Sequence, residues 1–139
     1  VADNARFFGS YEHSLDIKGR LILPARLRVH FTQPGFLTPH LEGCLALWRS
    51  EDFDREVESQ LAAAESDVVS RNRVRDWASN VFEADVDKQG RMAIPANLRA
   101  YAALDLEAPV LIVGMINRVE FWAPSVWTGR ELASSNVGA

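Results

Sequence analysis

Asp16-Ile17-Lys18-Gly19-Arg20-Leu21-Ile22-Leu23-Pro24-Ala25-Arg26-Leu27-Arg28 returns 71 residues later as Asp87-Lys88-Gln89-Gly90-Arg91-Met92-Ala93-Ile94-Pro95-Ala96-Asn97-Leu98-Arg99. Asp, Gly, Arg, Pro, Ala, Leu and Arg recur at seven of the thirteen positions, and half of the other six exchange one apolar residue for another. Internal repetition of this kind decides the architecture before any single element is assigned. The match resumes downstream at an offset of 74, where Leu45-Ala46-Leu47-Trp48 answers Val119-Glu120-Phe121-Trp122 and Phe53 answers Trp127. Each unit is thus a motif, a connection, a strand ending in Trp and a helix carrying an aromatic. The units run over about 6–66 and 80–137. Ser66–Asn80 between them is polar and charged, with Val69, Trp77 and Val81 spaced for one face of a connecting helix.

Each motif position has a physical reason. Phe8–Leu15 reads as a strand, and Asp16-x-x-Gly19 as a tight turn, because Asp bonds the backbone downstream of itself and Gly accepts a positive φ. Arg20–Leu23 is the returning strand, whose alternation puts Leu21 and Leu23 on one face and Arg20 and Ile22 on the other. Pro24 suits the first turn of a helix, where its missing N–H is no loss. Ala25–Phe31 follows as a short helix with Leu27 inward and Arg26 and Arg28 on its flanks. The second unit repeats the scheme with Gly90, Met92, Ile94, Pro95 and Leu98.

Composition narrows the classes. The chain has 139 residues, 47% of them hydrophobic and 24% charged, which is ordinary for a globular protein. Halves of this size are marginal alone, so the expected organisation is two units, 1–66 and 67–139, sharing one core. No window reaches the roughly 20 apolar residues of a membrane span. The start, Val1 to Arg6, lacks the apolar core of a signal peptide. A lone cysteine, Cys44, sits in an apolar run and reads as buried filler; it forms no internal disulfide, which fits a reducing cytoplasm. His13, His30 and His40 have no metal-ligand spacing, and no cofactor is implied. Ser10, Ser14 and Ser70 lack the context of a nucleophile, and Gly19-Arg20 is no phosphate loop, so the sequence does not read as an enzyme or call for a small-molecule substrate.

The net charge of −4 hides a concentration of cations. Segment 16–28 carries Lys18, Arg20, Arg26 and Arg28 against Asp16 alone, and segment 87–99 carries Lys88, Arg91 and Arg99 against Asp87. The compensating acid lies in helical stretches, with Glu51, Asp52, Asp54, Glu56, Glu58, Glu65 and Asp67 as examples. Basic hairpins with acid placed elsewhere suit contact with nucleic-acid phosphates. Arg20 follows the turn glycine, points away from the Leu21/Leu23 face and offers a planar fork for guanine O6 and N7. Lys18, Arg26 and Arg28 support it, with Arg91 secondary and Lys88 and Arg99 behind. Arg28 and Arg99 have a second reading, as residues held against the hairpin in local ion pairs. A pure interaction module is the alternative to a DNA reader, and the basic concentration argues against it.

The twice-repeated Asp-x-x-Gly-Arg-x-x-x-Pro-x-x-x-Arg resembles the swapped-hairpin DNA-binding fold of the AbrB type. Two copies in one chain, with Phe8-Gly9 before the first and Val113-Gly114 and Asn117-Arg118-Val119-Glu120-Phe121-Trp122 after the second, resemble the MraZ family of bacterial transcriptional regulators. That resemblance covers about Phe7 to Trp127. It implies an α+β, mainly β fold: a duplicated swapped-hairpin β-barrel with short flanking helices and a pseudo-two-fold within one chain. It further implies a cytoplasmic, nucleoid-associated homo-oligomeric ring. Such a ring would bind repeated boxes of double-stranded promoter DNA upstream of a division and cell-wall gene cluster, often as a repressor. The family's DNA-contact arginine maps onto Arg20 and, through the repeat, onto Arg91. Gln89 in place of a basic residue and Asn97 in place of Arg26 depart from equal contact by both units. Phe7, Phe8, Trp48 and Trp122 are candidate packing or interface positions, with the core favoured for the tryptophans.

Overall fold

The computed structural model describes residues 6–137; residues 1–5, on which the reading of the chain start falls, lie outside the described residues. The first unit contributes strands β1 (Ser10–Ser14), β2 (Arg20–Ile22), β3 (Gly35–Pro39) and β4 (Leu45–Trp48) with helices α1 (Ala25–Arg28) and α2 (Ser50–Ala64). Helix α3 (Val68–Ala78) connects it to β5 (Phe82–Ala84), β6 (Arg91–Ala93), α4 (Ala96–Ala102), β7 (Pro109–Gly114), β8 (Val119–Trp122) and α5 (Pro124–Val137).

The pairing shows why neither half is complete. β1 does not pair with β2, the strand that follows it; it pairs antiparallel with β7, and β2 pairs with β6. β5 in turn lies on β3. Only β3–β4 and β7–β8 join neighbours within a unit. The result is a six-stranded antiparallel sheet in the order β1-β7-β8-β4-β3-β5 and a separate two-stranded ribbon of β2 and β6. The sheet has free edges at β1 and β5, so this pairing does not close into the expected barrel.

Two of the pairings reveal the internal symmetry. In the ribbon Leu21 lies opposite Met92, its equivalent in the repeat, so Arg20 faces Ala93 and Ile22 faces Arg91. Across β4 and β8, Ala46 lies opposite Glu120, again its equivalent. An antiparallel pairing centred on equivalent residues places a pseudo-two-fold through each of these points. Leu15, Leu21, Leu23, Leu27, Leu37 and Leu47 from one unit share a single buried cluster with Met92, Ile94, Leu98, Val110, Ile112 and Phe121 from the other. Burial of this apolar surface is the main favourable contribution to the fold.

Local differences from the sequence reading have local causes. β1 begins at Ser10 because Gly9 takes a φ of +90° and ends the extended run behind it. Helix α1 stops at Arg28, three residues early, and the chain continues to Phe31 through i→i+3 bonds from His30 to Leu27 and from Phe31 to Arg28. Connector helix α3 docks through Trp77, stacked on Phe53, which in turn stacks on Phe36 of β3 at 4.2 Å. Val69, expected on that face, is exposed, and Val74 is half-buried in its stead. Trp48 and Trp122 are buried, and so is Phe7, whereas Phe8 stays exposed. Cys44 is buried, with its thiol pushed far up by desolvation, and is thus inert.

The N-terminal segment is held by close backbone approach. Phe7 and Ile116 exchange backbone bonds at 2.8 Å, and a Cβ at Gly114 would lie 2.6 Å from the carbonyl carbons of both Phe7 and Phe8. Backbone cannot yield as a flexible side chain does. Gly114→Ala is therefore expected to destabilise the protein at the upper end of the about 1–3 kcal/mol seen for overpacking. Urea denaturation checks this, and a midpoint unchanged from wild type would contradict it.

Candidate nucleic-acid interface

The two Asp-x-x-Gly turns are built alike. The Asp16 carbonyl accepts the Gly19 N–H at 3.0 Å, and the Asp87 carbonyl accepts that of Gly90 at 2.9 Å. Gly19 and Gly90 have φ of +77° and +83°, a region that only glycine enters without strain. The Asp16 carboxylate accepts the backbone N–H groups of Lys18 and Arg20 on Oδ1 and Nε of Arg20 on Oδ2, each at 2.9 Å. The backbone N–H of Arg20, against the opposing effect of burial and helped by the Arg20 side chain and the N–H of Lys18, holds the Asp16 carboxyl below the usual carboxylate range. Asp87 is lowered in the same way, first by the backbone N–H of Arg91. A depressed carboxylate stays ionised above the ordinary Asp range, and the lock is lost only as pH falls through the lowered value.

Arg20 is thus tethered at Nε, and its outer nitrogens Nη1 and Nη2 make no hydrogen bond among the described residues. Arg91 is tethered to Asp87 in the same manner, but its Nη2 also donates to Gln89 Oε1 at 2.6 Å. The substitution of Gln89 for a basic residue therefore does more than remove a charge: it occupies part of the second guanidinium. Opposed residues of an antiparallel pair point to the same face, so Arg20, Ile22, Arg91 and Ala93 share one side of the ribbon while Leu21 and Met92 enter the core. Arg20 and Arg91 are diagonal neighbours across that face, about 7–8 Å apart. Lys18 and Lys88, on the two turns, and Arg26, on α1, are exposed.

Arg28 and Arg99 have a different placement from the remaining cations. Among the described residues neither forms the local ion pair considered for it, and each meets the turn of the opposite unit. Arg28 Nη1 donates to the Gln89 carbonyl at 3.1 Å, and its guanidinium occupies the space beside Gly90. Arg99 donates from Nε to the Ile94 carbonyl at 3.0 Å, and its guanidinium carbon would lie 3.1 Å from a Cβ on Gly19. Backbone bonds follow the same exchange, from Leu23 to Gly90 and from Ile94 to Gly19. Glycine at these turns is thus required twice, by its φ and by the arginine lying against it. Asn97, the other departure between the repeats, donates to Asn80 Oδ1 at 2.9 Å and ties α4 to the end of the connector.

Comparison with known proteins supports the duplicated reading of the chain. A family model described as "MraZ protein, putative antitoxin-like" matches twice, over residues 7–75 and 78–134. The chain belongs to the MraZ family. Among its relatives, the transcriptional regulator MraZ of Heliobacterium modesticaldum is 40% identical over 122 residues, covering 88% of this chain and 84% of that protein. The transcriptional regulator MraZ of Kocuria rhizophila is 40% identical over 121 residues, covering 87% and 83%. That of Halothermothrix orenii is 36% identical over 123 residues, covering 88% and 85%. The MraZ family is one of transcriptional regulators and not of enzymes. Among the described residues no helix is long and apolar enough to cross a membrane, and no cluster of His, Cys, Asp and Glu is arranged to hold a metal ion.

Proposed function

We propose that the protein is a sequence-specific DNA-binding transcriptional regulator that reads duplex DNA with the β2–β6 ribbon. The observation that carries this reading is the shared outward face on which Arg20 and Arg91 stand, each fixed by its own aspartate. A two-stranded ribbon is one of the two elements that the major groove admits. Arg20, with both outer nitrogens uncommitted, is the principal base contact, and Arg91, partly engaged by Gln89, is the lesser one. Lys18, Lys88 and Arg26 serve the phosphates. Arg28 and Arg99 act in support by holding the turns that present the readers. The named function of the relatives supports the assignment to transcription.

One ribbon offers few base-reading side chains, so useful affinity calls for several copies acting together, where linkage raises avidity by about 10²–10⁴. A homo-oligomeric ring on repeated promoter boxes, acting in the cytoplasm at the nucleoid and repressing a division and cell-wall gene cluster, is the fuller form of the proposal. Light scattering at micromolar protein tests the assembly, and a monomer alone would contradict it.

The DNA reading is tested by gel shift with the upstream region of the protein's own gene at two salt concentrations. Specific retention that weakens with salt is the expected result. Lys18→Ala should weaken binding to all sequences alike and reduce the salt slope by about one per protomer. A slope unchanged in Lys18→Ala would remove that residue from the phosphate contacts.

A further inference from the structure

The outward face of the ribbon is not purely cationic. Ile22 lies between the two arginines in the pairing: two residues on from Arg20 along β2 and directly opposite Arg91 on β6. It is 45% exposed, although its neighbours Leu21 and Leu23 are fully buried. Its counterpart by the repeat is Ala93, also exposed but with a side chain of one methyl. A lone exposed isoleucine is ordinary on a protein surface. One set on the arginine face of a two-stranded ribbon, at the end of β2 with a tethered arginine two residues before it and another directly across, is placed to touch whatever the arginines touch.

Resting on the reading of the ribbon as a major-groove element, we infer that Ile22 recognises the C5-methyl group of a thymine close to the guanine contacted by Arg20. The major groove presents one apolar feature, the thymine methyl, and apolar side chains that reach it are what meet it. The strand rise of about 3.3 Å per residue puts Ile22 about 6.6 Å along β2 from Arg20. That is about two base steps at 3.4 Å each. Ile22 carries a branched side chain that can cover a methyl, whereas Ala93 at the equivalent place falls short. The apolar contact therefore belongs to the first unit alone. With Arg91 engaged by Gln89 on the other side, the ribbon face is two-fold in backbone and one-sided in chemistry, with Arg20 and Ile22 forming the discriminating pair.

The test uses the full-length protein and the duplex recovered as the tightest binder from a randomised library. Thymines of that duplex are replaced one at a time by deoxyuridine, which removes only the methyl group. Burial of one such carbon predicts a loss of about fourfold per bound protomer at one or two positions. Ile22→Ala, an exposed substitution whose folding is checked by its thermal transition, should bind the thymine and deoxyuridine duplexes equally while keeping its preference for the guanine. A wild-type protein indifferent to deoxyuridine at every position would overturn the inference yet leave the arginine reading intact, as would an Ile22→Ala variant that keeps the methyl preference. If selection enriches no sequence at all, the reading of the ribbon as a base reader fails, and this inference with it.

Discussion

Arg20→Ala is expected to abolish sequence-specific retention of promoter DNA while leaving the thermal transition of the protein nearly unchanged. A bidentate arginine–guanine contact contributes about 1–3 kcal/mol of discrimination, or roughly ten- to a hundredfold per reading head. In an assembly that engages several boxes the losses compound, so the measured effect exceeds that of one contact. The side chain of Arg20 is one-third exposed and among the described residues bonds only to Asp16 on its own turn, which keeps its backbone bonds to that carboxylate in the variant. Arg91→Ala should cost less, because Gln89 already engages part of that guanidinium. Gel shift or fluorescence anisotropy on wild-type and variant proteins decides the matter. Equal affinity of Arg20→Ala and wild type for the promoter would show that the ribbon is not the reading head, and the protein would then act as an interaction scaffold.

The second large effect concerns the halves. Residues 1–66 expressed alone should not fold as a monomer. Every strand bond of β1 goes to β7 and every one of β2 goes to β6, both in residues 67–139. What the fragment retains is the β3–β4 pair, and a two-stranded hairpin is at best marginal in water. The buried faces of Leu15, Leu21 and Leu23 would be left without the Met92, Ile94 and Val110 side of the shared cluster. Circular dichroism should show an unfolded chain at low concentration, with structure returning on addition of residues 67–139. A cooperative transition of the isolated fragment that is independent of its concentration would refute this.

Much of the local structure was legible in the residues. Asp16, Gly19 and Pro24 announced a turn, a positive φ and a helix start, because each effect operates within a few residues. Alternation gave the faces of β2 and β6, and with them the burial of Leu21 and Met92. Alternation cannot say which strand lies alongside, since any apolar face satisfies any other, so the exchange of β1 and β2 between units came only from likeness to a known family. The placement of Arg28 was out of reach for the same reason: its acceptor on Gln89 is 61 residues away. The Asp16–Arg20 tether, by contrast, had a signal in the recurrence of both residues at the same spacing. By residue type the aspartate belongs to the turn and the arginine to the groove, and only the folded turn joins them.

Because the two units are written into one chain, their meeting does not depend on how much protein the cell contains. Two separate hairpin chains would find each other by mass action and would return, at each encounter, a pair of identical faces. A covalent join keeps each first unit with its own second unit at an effective concentration of order millimolar. Mutation could then alter one copy without altering its mate. Gln89 at the place of Lys18, Asn97 at that of Arg26 and Ala93 at that of Ile22 are such unilateral differences. The tandem chain behaves as an obligate heterodimer made from a single gene, and asymmetry that free subunits would average away is inherited intact.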